Sequence, residues 1–273
     1  MKKRSVFERI VSAPYLLWAA IFIIAPLVFV VYFAFTDVNG SFTFENILSL
    51  SSYSQTFLMS LGFSLIATVV CLLIGYPLAY CMSRMPERVR GVLMILIMLP
   101  MWISLLIRTY SLMTLLDNGG LFNSFLGLFG IEPIQFIGTD AAVILGMIYD
   151  FLPYMVLPIY TSMTKLDRRY IEAAADLGCN NFKTMTRVIL PLTMPGIVSG
   201  VTMVFVPSIS TFYISQKLGG GLFDLLGDTI ERQFKNVITY NTGAAISLVM
   251  MILILISLAV MNKFSDSEED IIV

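Results

Sequence analysis

Residues 165–195 read KLDRRYIEAAADLGCNNFKTMTRVILPLTMP, a polar stretch set between two long apolar runs. It is longer than a connection between adjacent spans requires, and it carries a helical pattern of its own. Tyr170, Ile171, Ala174 and Leu177 recur at helical spacing. Gly178 can end that helix in the left-handed conformation, and Asn180 can cap a second helix running from about Phe182 to Leu190. Pro191 and Pro195 then start the next apolar run. The stretch predicts two short surface helices between membrane spans.

The surrounding composition agrees with that placement. Of 273 residues 58% are apolar and 13% charged, and the mean hydropathy is +0.86, far above what a water-soluble domain of this size carries. A soluble core would have to hide that surface, whereas a lipid-facing helix need not. With Lys+Arg 17 against Asp+Glu 18 there is no basic excess for nucleic acid, and soluble enzymes are nearly excluded. Histidine is absent, and Cys71, Cys81 and Cys179 form no metal-ligand spacing, so neither a metal site nor a disulfide framework is expected. Six runs are long enough to cross a bilayer, at about 15–35, 61–82, 91–116, 141–160, 192–214 and 244–261. The third contains Arg108, about 27 Å of helix beyond Arg90, which places its side chain at the outer interface in a snorkelling position. Pro26, Pro77, Pro100, Pro153, Pro158 and Pro207 fall inside the runs; each alone reads as a packing kink, and together they favour helices bent around something.

Basic residues give the orientation. Lys2, Lys3, Arg4, Arg9, then Arg84, Arg88, Arg90, then Lys165, Arg168, Arg169, Lys183, Arg187, and finally Lys263 all fall on one side. Only Arg108, Lys217, Arg232 and Lys235 fall on the other. Both termini are therefore expected in the cytoplasm. The opening MKKR with its apolar run reads as a retained first helix rather than a secretory leader, because no small-residue cleavage site follows it. The acidic tail, 264–273, reads as a mobile solvated end, and Asp224, Asp228 and Glu231 as solvated charges of an outer loop.

Within the quoted stretch, Glu172-Ala173-Ala174, three residues, Gly178, nine residues, then Val188-Ile189-Leu190-Pro191 resembles the EAA signature of permease subunits of bacterial ABC importers. Only Val188, where the pattern has Ile, departs from it. The resemblance extends over the whole chain, with six spans, both termini inside and the motif between spans four and five. It implies an all-α polytopic membrane protein with the type I ABC importer permease fold. It further implies that 165–195 holds the coupling helices of a cytoplasmic ATPase, with Glu172, Ala173, Ala174, Gly178, Leu190 and Pro191 as its coupling residues. Alanines allow close approach, the glycine a sharp turn, and Glu172 can pair with a basic residue. The alternative is a solvated amphipathic loop with no partner. The chain has no Gly-Lys pair and so no phosphate loop of its own; ATP and Mg would be bound by the partner ATPase, and no cofactor is expected in this chain.

Inside the fourth run, Asp150 lies near the bilayer midplane, where a carboxylate costs about 2.5–3.5 kcal/mol and must face the bundle or a cavity. Tyr154 is one turn on along the same face. An acid beside an aromatic ring suits a passing organic cation, although a structural hydrogen bond accounts for the acid equally well. On the fifth run Ser208, Thr211 and Ser215 form one stripe with Tyr213 nearby, which could line a passage or join helices. Arg108 and Tyr110 are grouped with this substrate path.

The blocks Gly75–Tyr80, Leu106–Tyr110, Leu152–Tyr160 and Leu190–Gly196 resemble, in their order and number, the spermidine/putrescine permeases of that family. That subgroup implies a bacterial cytoplasmic-membrane subunit of an ATP-driven polyamine importer. Its partners would be a homologous second permease, an ATPase dimer and an extracytoplasmic polyamine-binding protein. The alternatives are an ABC permease for another small solute or an ion-coupled secondary carrier using Asp150. An intramembrane aspartyl protease is disfavoured because Gly227-Asp228 is preceded by Leu225 where a glycine is needed.

Overall fold

The computed structural model describes residues 14–222 and 224–269, without the side chains of residue 168 and of 264 onward. The amino-terminal basic cluster of Lys2, Lys3, Arg4 and Arg9 and the last four residues of the acidic tail lie outside the described residues. Among the described residues the regular structure is helical apart from one isolated bridge, Thr36 to Phe42. In chain order, after short helical turns at Glu45–Leu48 and Ser49–Tyr53 are set aside, the helices are α1 (Pro14–Ala34), α2 (Ser54–Arg84), α3 (Glu87–Trp102), α4 (Leu105–Leu116) and α5 (Leu121–Leu128). They continue as α6 (Asp140–Thr164), α7 (Arg168–Asp176), α8 (Asn181–Leu192) and α9 (Met194–Ser210). The last are α10 (Tyr213–Leu218), α11 (Leu226–Lys235) and α12 (Tyr240–Glu269).

Four of these, α1, α2, α6 and α12, are long and apolar enough to cross a bilayer alone. The number rises to six if each of two bent pairs counts as one span: α3 with α4–α5, bent by 97°, and α8 with α9, bent by 67°. The third apolar run is thus not one straight helix. Pro100 has no N–H to give the carbonyl four residues back, and Ile103 and Ser104 are extended, with ψ of 138° and 137°. At the second bend Thr193 stands between Pro191 and Pro195, and its hydroxyl donates to the Ile189 and Leu190 carbonyls at 2.8 and 3.1 Å. The Thr193 amide donates to the same two carbonyls at 3.0 and 3.2 Å, so backbone and side chain of one residue together close the end of α8. The tail also differs from expectation, since α12 continues through Glu269.

Of the described residues, those within 14–54 and 229–253 form one compact unit, and those within 55–228 and 254–269 the other. In the first, Ala34, Ala244, Ala245 and Leu248 are buried together. Phe33 meets Tyr240 edge-on at 5.1 Å, and Asn46 Nδ2 donates to the Ala34 and Thr36 carbonyls. The second is built on α6, whose Met147, Met155, Val156 and Ile159 are fully buried. Small residues let helices approach it from two sides. Ala67, Cys71, Gly75 and Ala79 recur every fourth position along α2 and are buried, and a Cβ on Gly75 would meet Met155 at 3.1 Å. On α9, Gly196 and Gly200 lie against α6; a Cβ on Gly196 would be 2.6 Å from Ser162 Cβ and 2.8 Å from the Pro158 carbonyl.

Because those neighbours are backbone or short side chains, Gly196→Val should lower stability by about 1–3 kcal/mol. The thermal midpoint of the purified variant in detergent checks this; an unchanged midpoint would mean that α6 and α9 are not in close contact.

Candidate functional site

Arg108 is not at an interface. The bend at Ile103–Ser104 turns α4 so that Arg108 and Thr109 point inward, and Arg108 is only 5% exposed. Its Nε lies 3.3 Å from Asp150 Oδ1, and its Nη1 donates to the Asp150 backbone carbonyl at 3.3 Å. Thr109 donates to Asp150 Oδ2 at 3.1 Å. Asp150, fully buried in the middle of α6, therefore has its charge answered by a neighbouring element. A lone carboxylate or guanidinium here would be strongly unfavourable, and the pair offsets both costs. Position along a straight helix could not reveal this, because the distance from Arg90 says nothing about a bend.

A second polar cluster lies where the fifth apolar run breaks. Helix α9 ends at Ser210, Thr211 is extended with ψ of 137°, and α10 packs against α4 and α6. The expected stripe is divided accordingly. Ser208 and Thr211 are buried at the end of α9, while Ser215 belongs to α10. Ser215 donates to Asp228 Oδ2 at 2.6 Å, and the Leu225 amide donates to the same oxygen at 3.0 Å. The Leu226 amide donates to Ser60 of α2 at 2.8 Å. Gly227 fits because a Cβ there would be 2.6 Å from the Ser210 and Thr211 carbonyls. Asp228 is thus a buried anchor rather than a solvated charge. Burial, with a smaller contribution from Asp224, pushes its carboxyl up to about 6 from 3.8, against the lowering effect of its hydrogen bonds.

The remaining path candidates are dispersed. Tyr154 is half-buried with its ring 6.4 Å from Phe151. Tyr110 is exposed at 53%, on the opposite side of α4 from Arg108. Tyr213 is half-buried and carries the Lys217 ammonium over its ring at 5.7 Å. The structure brings Arg108, Thr109 and Asp150 together, and Thr109 and Asp228 are the participants that residue pattern alone missed. The neighbouring Arg-Thr dipeptide was the available signal for Thr109.

In the 165–195 segment, Asp167 caps α7 by accepting from the Arg169 amide at 3.0 Å. Gly178 has φ of 75°, and the amides of Gly178 and Cys179 close the helix end on the Ala175 and Ala174 carbonyls. Asn180 accepts from the Lys183 amide at 2.8 Å and caps α8. The middle of α8, Met185–Ile189, is a π-helical turn, a widening that periodicity could not foretell. Ala174 and Ile189 are buried, whereas Glu172 and Ala173 are exposed. Tyr170, Leu177 and Phe182 are exposed at 55, 85 and 75%, an apolar surface on an otherwise polar segment. Leu190 and Pro191 stand at the bend. Tyr76 of α2 has its hydroxyl 3.3 Å from that of Thr193.

These features are those of a membrane permease, and comparison with known proteins agrees. Residues 71–268 match the family described as "Binding-protein-dependent transport system inner membrane component", and the chain belongs to that family. It is a multi-pass bacterial inner-membrane protein and a component of a transport system. It is 38% identical over 262 residues to the "Spermidine/putrescine transport system permease protein PotB" of Salmonella typhimurium, covering 92% of this chain and 91% of that one. It is 39% identical over 257 residues to the Haemophilus influenzae protein of the same name, covering 90% of each. The fold matches a chain of a bacterial alginate ABC transporter in complex with a pentasaccharide-bound periplasmic protein, with a TM-score of 0.76 at 19% identity over 94% of this chain and 93% of that one.

Removing one member of the buried pair, by Arg108→Gln or Asp150→Asn, should destabilise the protein by about 3–5 kcal/mol, and the double variant should recover most of that. Additive losses in a double-mutant cycle of thermal unfolding would refute the pairing. For Asp228 the raised value means that its protonated form favours the fold. Its stabilising contribution is complete below 3.8 and is lost as the pH rises through about 6. The chain has no histidine to titrate in that window, so the wild type should melt at higher temperature at pH 5 than at pH 7.5 and Asp228→Asn should reduce the difference. Identical pH profiles would sink the assignment.

Proposed function

We propose that this chain is one of two homologous permease subunits of an ATP-driven importer of polyamines. Both its termini would be cytoplasmic, and its substrate would be delivered by an extracytoplasmic binding protein. The observation that carries the reading is the identity of 38–39% to spermidine/putrescine permeases over about nine-tenths of both chains. The excess of Lys and Arg on one side supports the orientation. In this reading residues 165–195 dock on a cytoplasmic ATPase that binds and hydrolyses ATP. The spacing from Glu172 to Pro191 supports it, and so does the exposed apolar trio Tyr170, Leu177 and Phe182.

The substrate is a flexible chain of ammonium groups, and a path for it needs acid and aromatic surface rather than a fixed cation. Asp150 with its guanidinium partner meets that need conditionally. While Arg108 sits against it the carboxylate is already neutralised, so an ammonium gains from Asp150 only when α4 moves at its bend. The ion pair would act as a gate whose opening transfers Asp150 from Arg108 to the passing substrate.

Uptake of labelled spermidine into vesicles holding this chain with its companion permease, ATPase and binding protein tests the reading. Uptake should require this chain and ATP and persist when the proton gradient is collapsed. An assembled, ATP-hydrolysing complex that takes up no spermidine or putrescine would move the assignment to another solute. Glu172→Lys should lower transport severalfold and loosen the ATPase while leaving membrane insertion intact; normal transport in that variant would count against the coupling role.

A further inference from the structure

The ends of α2, α3 and α6 meet α7 and α8 around a pocket of about 150 Å3. Its polar lining is Tyr80, Ser83, Arg84, Arg90 and Thr164. The Ser83 and Thr164 hydroxyl protons are already used, Ser83 donating to the Tyr80 carbonyl at 2.8 Å and Thr164 to the Thr161 carbonyl at 2.9 Å. The positive charge of the pocket rests with the two guanidiniums, beside the Tyr80 hydroxyl. Arg84 is held over the Tyr80 ring at 5.2 Å, and Arg90 is half-buried. Among the described residues neither makes an ion pair, and no carboxylate lines the pocket.

Two guanidiniums from different helices, facing one small cavity without a counter-charge, form a site for an anion. The planar fork of arginine matches the oxygens of a phosphate in particular. The location narrows the source. Helix α3 continues from Arg90 into exposed Val92, Ile95 and Leu96, a face for acyl chains, and basic pockets at the ends of membrane helices hold lipid head groups. We propose that the pocket binds a phosphate group, supplied by an anionic phospholipid of the surrounding leaflet. Ile171 of α7 and Ile189 of α8 also line it, so an occupied pocket ties the 165–195 segment to the ends of α2, α3 and α6. That consequence for transport rests on the function proposed above; the binding itself does not.

The test is native mass spectrometry of the full chain released from vesicles of phosphatidylcholine containing a minor share of phosphatidylglycerol. The wild type should retain one phosphatidylglycerol in preference to phosphatidylcholine. Arg84→Gln/Arg90→Gln should reduce that preference about tenfold or more, equivalent to about 1.4 kcal/mol. Arg88→Gln, an exposed residue outside the pocket, should not change it. Arg84→Lys/Arg90→Lys keeps the charge but loses the fork; should the Gln variant fail to fold, a drop in preference in the Lys variant still reads the site. Equal retention by wild type and pocket variants would overturn the proposal. Uptake of inorganic phosphate into the pocket in pure phosphatidylcholine, without any preference for phosphatidylglycerol, would assign the site to a free anion and overturn the lipid source. Unchanged lipid retention with weakened ATPase association would give the arginines to a partner carboxylate instead.

Discussion

No water reaches the middle of a bilayer, so every backbone amide and carbonyl there must find its partner inside the protein. An unbroken helix meets that condition locally, as α12 does, whereas Pro77 in α2 and Pro153 and Pro158 in α6 each withdraw one amide. Where this chain leaves the helix, at Ile103–Ser104, Thr193 and Thr211–Phe212, a proline stands nearby and polar side chains gather beside the break. At Thr193 the hydroxyl adds a second donor to the Ile189 and Leu190 carbonyls, which the Thr193 amide also serves. Beside the other two breaks lie the Arg108, Thr109 and Asp150 set and the Ser215 and Asp228 set. The bends and the buried polar clusters are two aspects of one requirement.

The same requirement connects the surface segment to the centre. Helix α9 follows directly from α8 and lies against α6 through Gly196 and Gly200, with almost no room between them. Interiors packed this closely transmit displacement instead of absorbing it. Under the coupling role proposed above, a push on 165–195 would be carried to the helix that holds Asp150. The ion pair at that point joins α6 to α4, which is linked to α3 through the two extended residues Ile103 and Ser104.

Much of this could be read from residues. Apolar runs fix the helices because length and hydropathy are local properties. The turn at Gly178 and the cap at Asn180 were legible because each depends on one residue type in one backbone conformation. Arg108 was not legible. Its partner lies 42 residues away, and the pairing follows from a bend whose direction no local pattern encodes. Asp228 was misjudged for a related reason: a charged residue in a loop usually faces water, and only the return of that loop against α10 buries it.

The separation of Arg108 from Asp150 also bears on how the protein is made. A chain is synthesised from its amino end at about 5–20 residues per second, so about 2–8 s pass between the appearance of the arginine and that of its acid. During that interval α4 carries an unanswered cation whose transfer into hydrocarbon costs about 2.5–3.5 kcal/mol. Helix α1, with hardly a side chain buried by the rest of the chain, can enter the lipid as soon as it emerges. Helix α4 gains its counter-charge only once α6 arrives beside it, so the two helices settle in the bilayer as a pair although they are synthesised apart.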